Sequence, residues 1–171
     1  TFFARSIDAE VNLTTECMVA ASKHDGLSVI EVLVNCMIFN NGTHKAFAGD
    51  KEVRAEHTIT LRQGEKMLFG KNMDKGLMLD NMKLKVVTVG ENGVTLDDIL
   101  VHDAHEKDTM VHVMLASMKY PDFPVALGII RDVAEPTYER EVARQIAEVQ
   151  ATAKIKNVDD LLNSGETWEV E

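Results

Sequence analysis

Thr1-Phe2-Phe3-Ala4-Arg5-Ser6 and Ser28-Val29-Ile30-Glu31-Val32-Leu33-Val34 are two short β-type runs, and what lies between them decides the fold. Residues 12–24 read as a helix, with Leu13, Cys17, Ala20 and Ala21 on one face at helical spacing. Asn12 or Thr14 is placed to cap its start, because a side-chain oxygen there accepts from free backbone N–H groups. Gly26 is placed to end it. The run 28–34 is short, β-branched and mostly apolar, the pattern of a strand covered on both faces. Strand, helix, strand in this order is a βαβ unit, so the expected class is α/β with parallel strands. The chain enters its first strand with no initiator Met and no polar lead-in. That start fits a processed terminus, or the back part of a longer protein.

Beyond residue 34 the pattern weakens. Residues 35–83 are rich in Gly, Asn, Asp and Lys, and an unstructured loop of that length is uncommon inside a compact domain. Within it, 57–62 suggests a short strand or a turn of helix. Residues 84–89 form a further β run, and Gly90-Glu91-Asn92-Gly93 is a turn. Thr95 and Asp98 have capping-box spacing before a short helix over 96–100. Asp108 is placed to cap a helix over 109–118, where Met110, Met114 and Met118 form a stripe that reads as core filler. Tyr120-Pro121-Asp122-Phe123-Pro124 is a rigid turn, and 125–130 a buried strand. Pro136 suits the first turn of a helix reaching about residue 154, with Val142, Ile146, Val149 and Ala153 as its apolar seam. A short helix over 158–162 and an extended Trp168-Glu169-Val170 end the chain.

Composition narrows the function classes. The 171 residues carry 18 Lys plus Arg against 28 Asp plus Glu, a formal charge of −10, which repels nucleic acid and anionic membrane alike. The charge is uneven: 41–85 holds nine basic and six acidic residues, whereas the chain from Asp132 onward holds four basic and ten acidic. Hydrophobic residues make up 45%, enough for a packed core and too many for disorder. No apolar run approaches the ~20 residues of a membrane helix, and no signal peptide opens the chain. Two cysteines make no disulfide framework, which fits a cytoplasmic protein.

The candidates for chemistry are few. Cys17 reads as a small core residue of the first helix. Cys36 follows the second strand by two residues, and sites in open α/β sheets gather at the carboxyl ends of strands. A thiol there is positioned to bind something, although one cysteine cannot hold an iron–sulfur cluster, which normally takes four. His102-Asp103-Ala104-His105-Glu106 has metal-ligating residue types, but it falls where a solvated polar linker is expected. His112 is not aligned with that pair, and His24, His44 and His57 stand alone. Arg131-Asp132 and Glu139-Arg140-Glu141 read as solvated charge pairs. Phosphate-cradling P-loop, dinucleotide fingerprint and Gly-x-Ser-x-Gly elbow are all absent from the sequence.

A string of short motifs resembles one family. Phe2-Phe3-Ala4-Arg5-Ser6 is similar to a Val-Ala-Arg-Ser/Gly strand, and the run from His24 to Leu33 to His-x-Gly-Phe-Ser-Phe-hydrophobic-Glu-Val-Leu. Asn35-Cys36-Met37-Ile38-Phe39-Asn40 stands in the place of Pro-Cys-x-Thr-Phe-Asn. Phe69-Gly70-Lys71 with Asp74-Lys75-Gly76, Leu100-Val101-His102-Asp103 and Pro136-Thr137-Tyr138-Glu139 complete the pattern. Together they resemble the C-terminal portion of the β subunit of 2-oxoacid:ferredoxin oxidoreductases, of the 2-oxoglutarate type. Pro and Thr shape the cysteine loop in the family, and Asn35 and Ile38 replace them here.

The resemblance implies a partial parallel-sheet layer of a thiamine-diphosphate-binding fold, with 1–40 in that domain and 41–171 as a C-terminal domain with a helical tail. It implies an enzyme that oxidatively decarboxylates a 2-oxoacid to an acyl-CoA and reduces ferredoxin, using thiamine diphosphate with Mg²⁺ and a [4Fe–4S] cluster. The implied partners are an α subunit and ferredoxin. In this family Cys36 would be the fourth cluster ligand, no catalytic residue would lie in the chain, and His102-Asp103 would be a linker. The basic stretch 41–85 would be an extension covering the cofactor region or meeting the α subunit. The family's Gly-Asp-Gly…Asn and Cys-x-x-Cys motifs are missing from the sequence, so the chain reads as a fragment that alone is inactive, binds no cofactor and self-associates through a cut sheet. Two other readings stand beside it: a free-standing α/β interaction module, and a mononuclear metal protein using His102, Asp103 and His105.

Overall fold

The structure is a computed structural model that describes residues 1–166 and 168. Strand β1 (Phe2–Ile7), helix α1 (Val11–Lys23) and strand β2 (Ser28–Leu33) form the βαβ unit. The strands pair in parallel from Phe2↔Ser28 to Ile7↔Leu33. Helix α1 starts at Val11 with Glu10 at the cap and no side-chain capping bond, so neither Asn12 nor Thr14 plays that part. Thr14 instead turns its hydroxyl inward, within 2.6 Å of Ser6 Oγ. His24 closes the helix, and Gly26 takes φ +133° on the way to β2. A Cβ at Gly26 would lie 2.3 Å from Thr1 Oγ1, so the glycine is required by both conformation and space.

The remaining strands of this sheet come from far along the chain. β7 (Val125–Asp132) runs antiparallel to β1 on the side away from β2, and β3 (Thr58–Leu61) runs parallel to β7. The order is β2-β1-β7-β3. The α/β class with parallel pairs is borne out, in a sheet that is mixed overall. The expectation that β2 is covered on both faces is not: β2 is an edge strand with alternating burial, and Val29 is 48% exposed. An apolar β-branched run suits an edge as well as a centre, and only the non-local partner distinguishes them.

The weakly patterned segment folds through short elements. They are α2 (Lys45–Ala48), α3 (Lys51–His57), β3, β4 (Leu68–Phe69) and β5 (Lys75–Asp80). Asp50 caps α3 by accepting from the N–H groups of Glu52 and Val53. β4, β5 and β6 (Lys83–Thr88) make a second, antiparallel sheet of three strands. Gly90, Asn92 and Gly93 take positive φ in the expected turn. The Thr95–Asp98 capping box is present, but it holds one 3-10 turn, Leu96–Asp98, and no helix to residue 100.

Helix α4 (Met110–Ser117) buries His112 and Leu115 toward Met118, while Met110 is exposed. The methionine stripe is therefore core only at its end. A helix apolar on several faces carries more than one stripe at i, i+3, i+4 spacing, and the sequence does not rank them. Phe2, Ala4 and Cys17 pack with the α1 face, while Ile59, Leu61, Phe69, Leu77, Leu115, Ala126 and Ile130 join the two sheets and α4. Each Leu, Ile or Phe among them, fully buried, contributes about 1.5–3 kcal/mol of transfer free energy.

Residues Pro136–Glu171 form a separate compact unit. It contains α5 (Tyr138–Thr152) and α6 (Val158–Leu162). Thr137 caps α5 through Oγ1, so Pro136 precedes the cap and is not part of the first turn. Asn157 caps α6. The expected seam of α5 is open, with Ile146 51% and Val149 62% exposed. Of the extended end read over Trp168-Glu169-Val170, Glu169 and Val170 lie outside the described residues. No helix among the described residues is long and apolar enough to cross a membrane.

Candidate functional site

Because β1 and β2 are parallel, their carboxyl ends lie side by side, and the chain after each contributes to one loop. The backbone N–H of Asn35, after β2, donates to Asp8 Oδ2, after β1, at 2.9 Å. The Asn35 amide then closes the loop: Nδ2 donates to Asn41 Oδ1 at 3.1 Å, and Oδ1 accepts from Gly42 N–H at 2.7 Å. Inside that ring Asn40 N–H donates to the Cys36 carbonyl at 3.1 Å, and Phe39 N–H donates to Cys36 Sγ at 3.4 Å. An open cavity of about 270 Å³, lined by Asp8, Asn35, Asn41, Gly42, His44 and Lys45 among others, lies beside it.

This geometry defines two different thiols. Cys36 is exposed, and the N–H groups of Phe39 and then Ile38 hold its thiol below the ordinary value. Cys17 is fully buried on α1, as its helical position predicts, and burial pushes its thiol up. Met37, Ile38 and Phe39, at 76%, 86% and 90% exposure, surround Cys36 with uncovered apolar surface.

The histidine patch is not assembled as a metal centre. His102 is 1% exposed, which corrects the solvated-linker reading at that residue, while Asp103, His105 and Glu106 are exposed as that reading expects; His102 Nε2–H donates to the Ile129 carbonyl at 2.8 Å. Desolvation by burial holds its pKa down, so the ring is kept neutral. His105 Nδ1–H donates to the Asp132 carbonyl, and Asp103 Oδ1 accepts from Gln63 Nε2 and from the His105 backbone N–H. His112 Nε2–H donates to the Asp103 carbonyl, and its Nδ1 accepts from Arg131 Nη1. Each imidazole is thus oriented by its own backbone carbonyl, not toward a shared point. Among the described residues no group of three His, Cys, Asp or Glu could hold a metal ion.

Several side chains that the sequence left isolated are joined. His24 Nδ1 lies 2.7 Å from Asp132 Oδ1, and His57 and Tyr120 meet edge to face. Arg131, read as a solvated charge, spans His112 and the carbonyls of Glu106 and Lys107. The Asp8–Asn35 bond has no signal within either element; the parallel register between β1 and β2 is what puts the residues after each strand close together.

The chain is 31% identical, over 174 aligned residues that include all of it, to 2-oxoglutarate oxidoreductase subunit KorB of Mycobacterium tuberculosis. The chain is similar to KorB over its whole length. It spans about half, 46%, of the length of that curated relative. The match bears out the resemblance carried by the motif string that runs from Phe2 to Glu139. No family model matches the chain, and no solved structure matches it.

Against the cofactors that the family resemblance of the sequence implies, the residues fit unequally. An exposed thiol with backbone donors on its sulfur suits one ligand of an iron–sulfur cluster, whose potential responds to such hydrogen bonds. Cys17 points into the core and cannot be a second ligand. For thiamine diphosphate with Mg²⁺, the sequence contains no Gly-Asp-Gly motif.

Proposed function

We propose that this chain is part of the β subunit of a 2-oxoacid:ferredoxin oxidoreductase of the 2-oxoglutarate type, and that Cys36 supplies one thiolate to a [4Fe–4S] cluster. The similarity to part of KorB over all of this chain supports the subunit assignment. The observation that carries the site is Cys36 itself: an exposed thiol at the carboxyl end of a parallel strand, with Phe39 N–H on its sulfur. In the intact enzyme the cluster would supply one-electron transfer, linking oxidation of the 2-oxoacid to acyl-CoA with reduction of ferredoxin.

This chain's own contribution is placement. The β1/β2 ends hold the loop, and the loop turns the thiol outward with a backbone donor on it. The apolar rim of Met37, Ile38 and Phe39 would exclude water once covered by the rest of the subunit or by its α partner. The chain by itself is proposed to be inactive, since it presents one exposed thiol where an iron–sulfur cluster normally takes four thiolates.

The test is Cys36→Ser in the intact subunit. Loss of cluster iron and of electron transfer to ferredoxin is expected. Full iron content and unchanged transfer would overturn the proposal.

A further inference from the structure

We propose that Asp8 and Asn35 are positioning residues for Cys36, locking residues 35–42 into the single loop shape that presents the thiolate. This rests on the reading of Cys36 as a cluster ligand, and adds to it the groups that make that ligand available.

The loop gains almost nothing from apolar burial, because its large side chains Met37, Ile38 and Phe39 are 76–90% exposed. Its shape therefore depends on hydrogen bonds, and the ones that tie its two ends together run through Asn35. The Asn35 backbone N–H is held by Asp8 Oδ2, which anchors the loop entrance to the end of β1. The Asn35 side chain grips the exit twice, at Asn41 Oδ1 and Gly42 N–H. The bonds inside the ring, Asn40 N–H to the Cys36 carbonyl and Phe39 N–H to Cys36 Sγ, require those ends to be close. Gly42 takes φ +80° at the exit, a conformation that lets its N–H face back toward Asn35.

The departure from the family pattern at this position acquires a physical meaning. Proline would stiffen the loop entrance through its ring, but it has no N–H to offer Asp8 and no side-chain amide to offer Gly42. Asn35 replaces ring stiffness with three hydrogen bonds, and Asp8 is the other half of that solution. Partners that orient a metal ligand from behind typically change metal retention 10–100-fold when removed.

The experiment compares Cys36→Ser, Asn35→Ala, Asp8→Ala and Asn35→Asp in the intact subunit. It measures iron and acid-labile sulfide after timed chelator exposure, the electron paramagnetic resonance spectrum of the reduced cluster, and the thermal midpoint. Asn35→Ala and Asp8→Ala are expected to lose cluster roughly tenfold faster than the parent, with an altered spectrum and an unchanged thermal midpoint. Asn35→Asp keeps an acceptor for Gly42 N–H and is expected to retain most of the cluster. Parent-like retention in both alanine variants, with loss in Cys36→Ser, overturns the positioning role and leaves the ligand assignment standing. Loss of iron that tracks a fallen thermal midpoint overturns it too. Full cluster retention in Cys36→Ser overturns the ligand assignment itself.

Discussion

His24 Nδ1 donates to Asp132 Oδ1 at 2.7 Å, joining the end of α1 to the last residue of β7 across 108 positions. The imidazole is 1% exposed and its Nε2 is 2.7 Å from Thr1 Oγ1, so one ring ties together the start of β1, the end of α1 and the end of β7. Removing a buried group that hydrogen-bonds a carboxylate costs about 1.5–3 kcal/mol. His24→Ala is expected to lower the urea midpoint accordingly. Asp132→Asn, which keeps an acceptor, is expected to lower it less, and equal midpoints in parent and His24→Ala would refute the clamp.

Gly128 and Gly90 both take positive φ, +96° and +90°, but they differ in surroundings. A Cβ at Gly128 would lie 2.6 Å from the backbone oxygen of Leu61 on the neighbouring strand, whereas one at Gly90 meets nothing within 4 Å. Gly90→Ala is expected to cost only the left-handed penalty, about 1–2 kcal/mol. Gly128→Ala adds a clash that parts β3 from β7, and its loss in chemical denaturation is expected to be clearly larger. Equal losses would show that β7 can shift to accommodate the methyl.

His102 sets a pH dependence. Its folded pKa is depressed, chiefly by desolvation, so the unfolded chain binds a proton that the folded chain refuses. The stability this neutral ring provides is complete above about pH 6.5 and falls as pH drops from there toward the folded value. The carboxylates with lowered values, Asp98, Asp103, Glu56 and Glu141, act further down, below about pH 4.5. Denaturation midpoints are therefore expected to fall between about pH 6.5 and 5, and His102→Gln to flatten that part of the profile. A parent profile flat over that interval would contradict the burial.

The two thiols of the metal-free chain are expected to separate cleanly under alkylation. Cys36 is exposed and held toward the thiolate, while Cys17 is buried and held toward the thiol. Mass spectrometry is expected to find one label, on Cys36, in the native state, and a second only after denaturation. Equal labelling rates would mean that α1 opens readily.

The edge of β2 and the tip of the cysteine loop predict self-association of the isolated chain. Leu27, Val29, Val34, Met37, Ile38 and Phe39 are 69%, 48%, 56%, 76%, 86% and 90% exposed along one stretch of chain beside an edge strand. Sedimentation is expected to show concentration-dependent oligomers that weaken in an Ile38→Lys, Phe39→Lys double variant. A monomer at high concentration would rule this out.

Much of this was legible in the residues, for a physical reason. The period of Leu13, Cys17, Ala20 and Ala21 specified α1 and buried Cys17. The glycines and Asn92 specified the 90–93 turn, and Thr95 with Asp98 the capping box. The position of Cys36 just past a strand specified an exposed thiol, and the motifs along the chain carried the family resemblance that the similarity to KorB bears out. All of these are written within one element, where backbone geometry and side-chain chemistry act over a few residues.

The tertiary structure alone decided the rest. β2 became an edge because β7, nearly a hundred residues on, took the other side of β1 in the opposite direction. His102 and His112 became buried, and all three histidines including the exposed His105 became bound to backbone carbonyls, because Ile129, Asp103 and Asp132 came within reach of them. Asn35 became the fastener of the Cys36 loop only because parallel pairing brought Asp8 to its N–H. Strand order and polar satisfaction depend on contacts between distant parts of the chain. A local pattern can say that a residue needs a partner, and only the assembled sheet supplies which one.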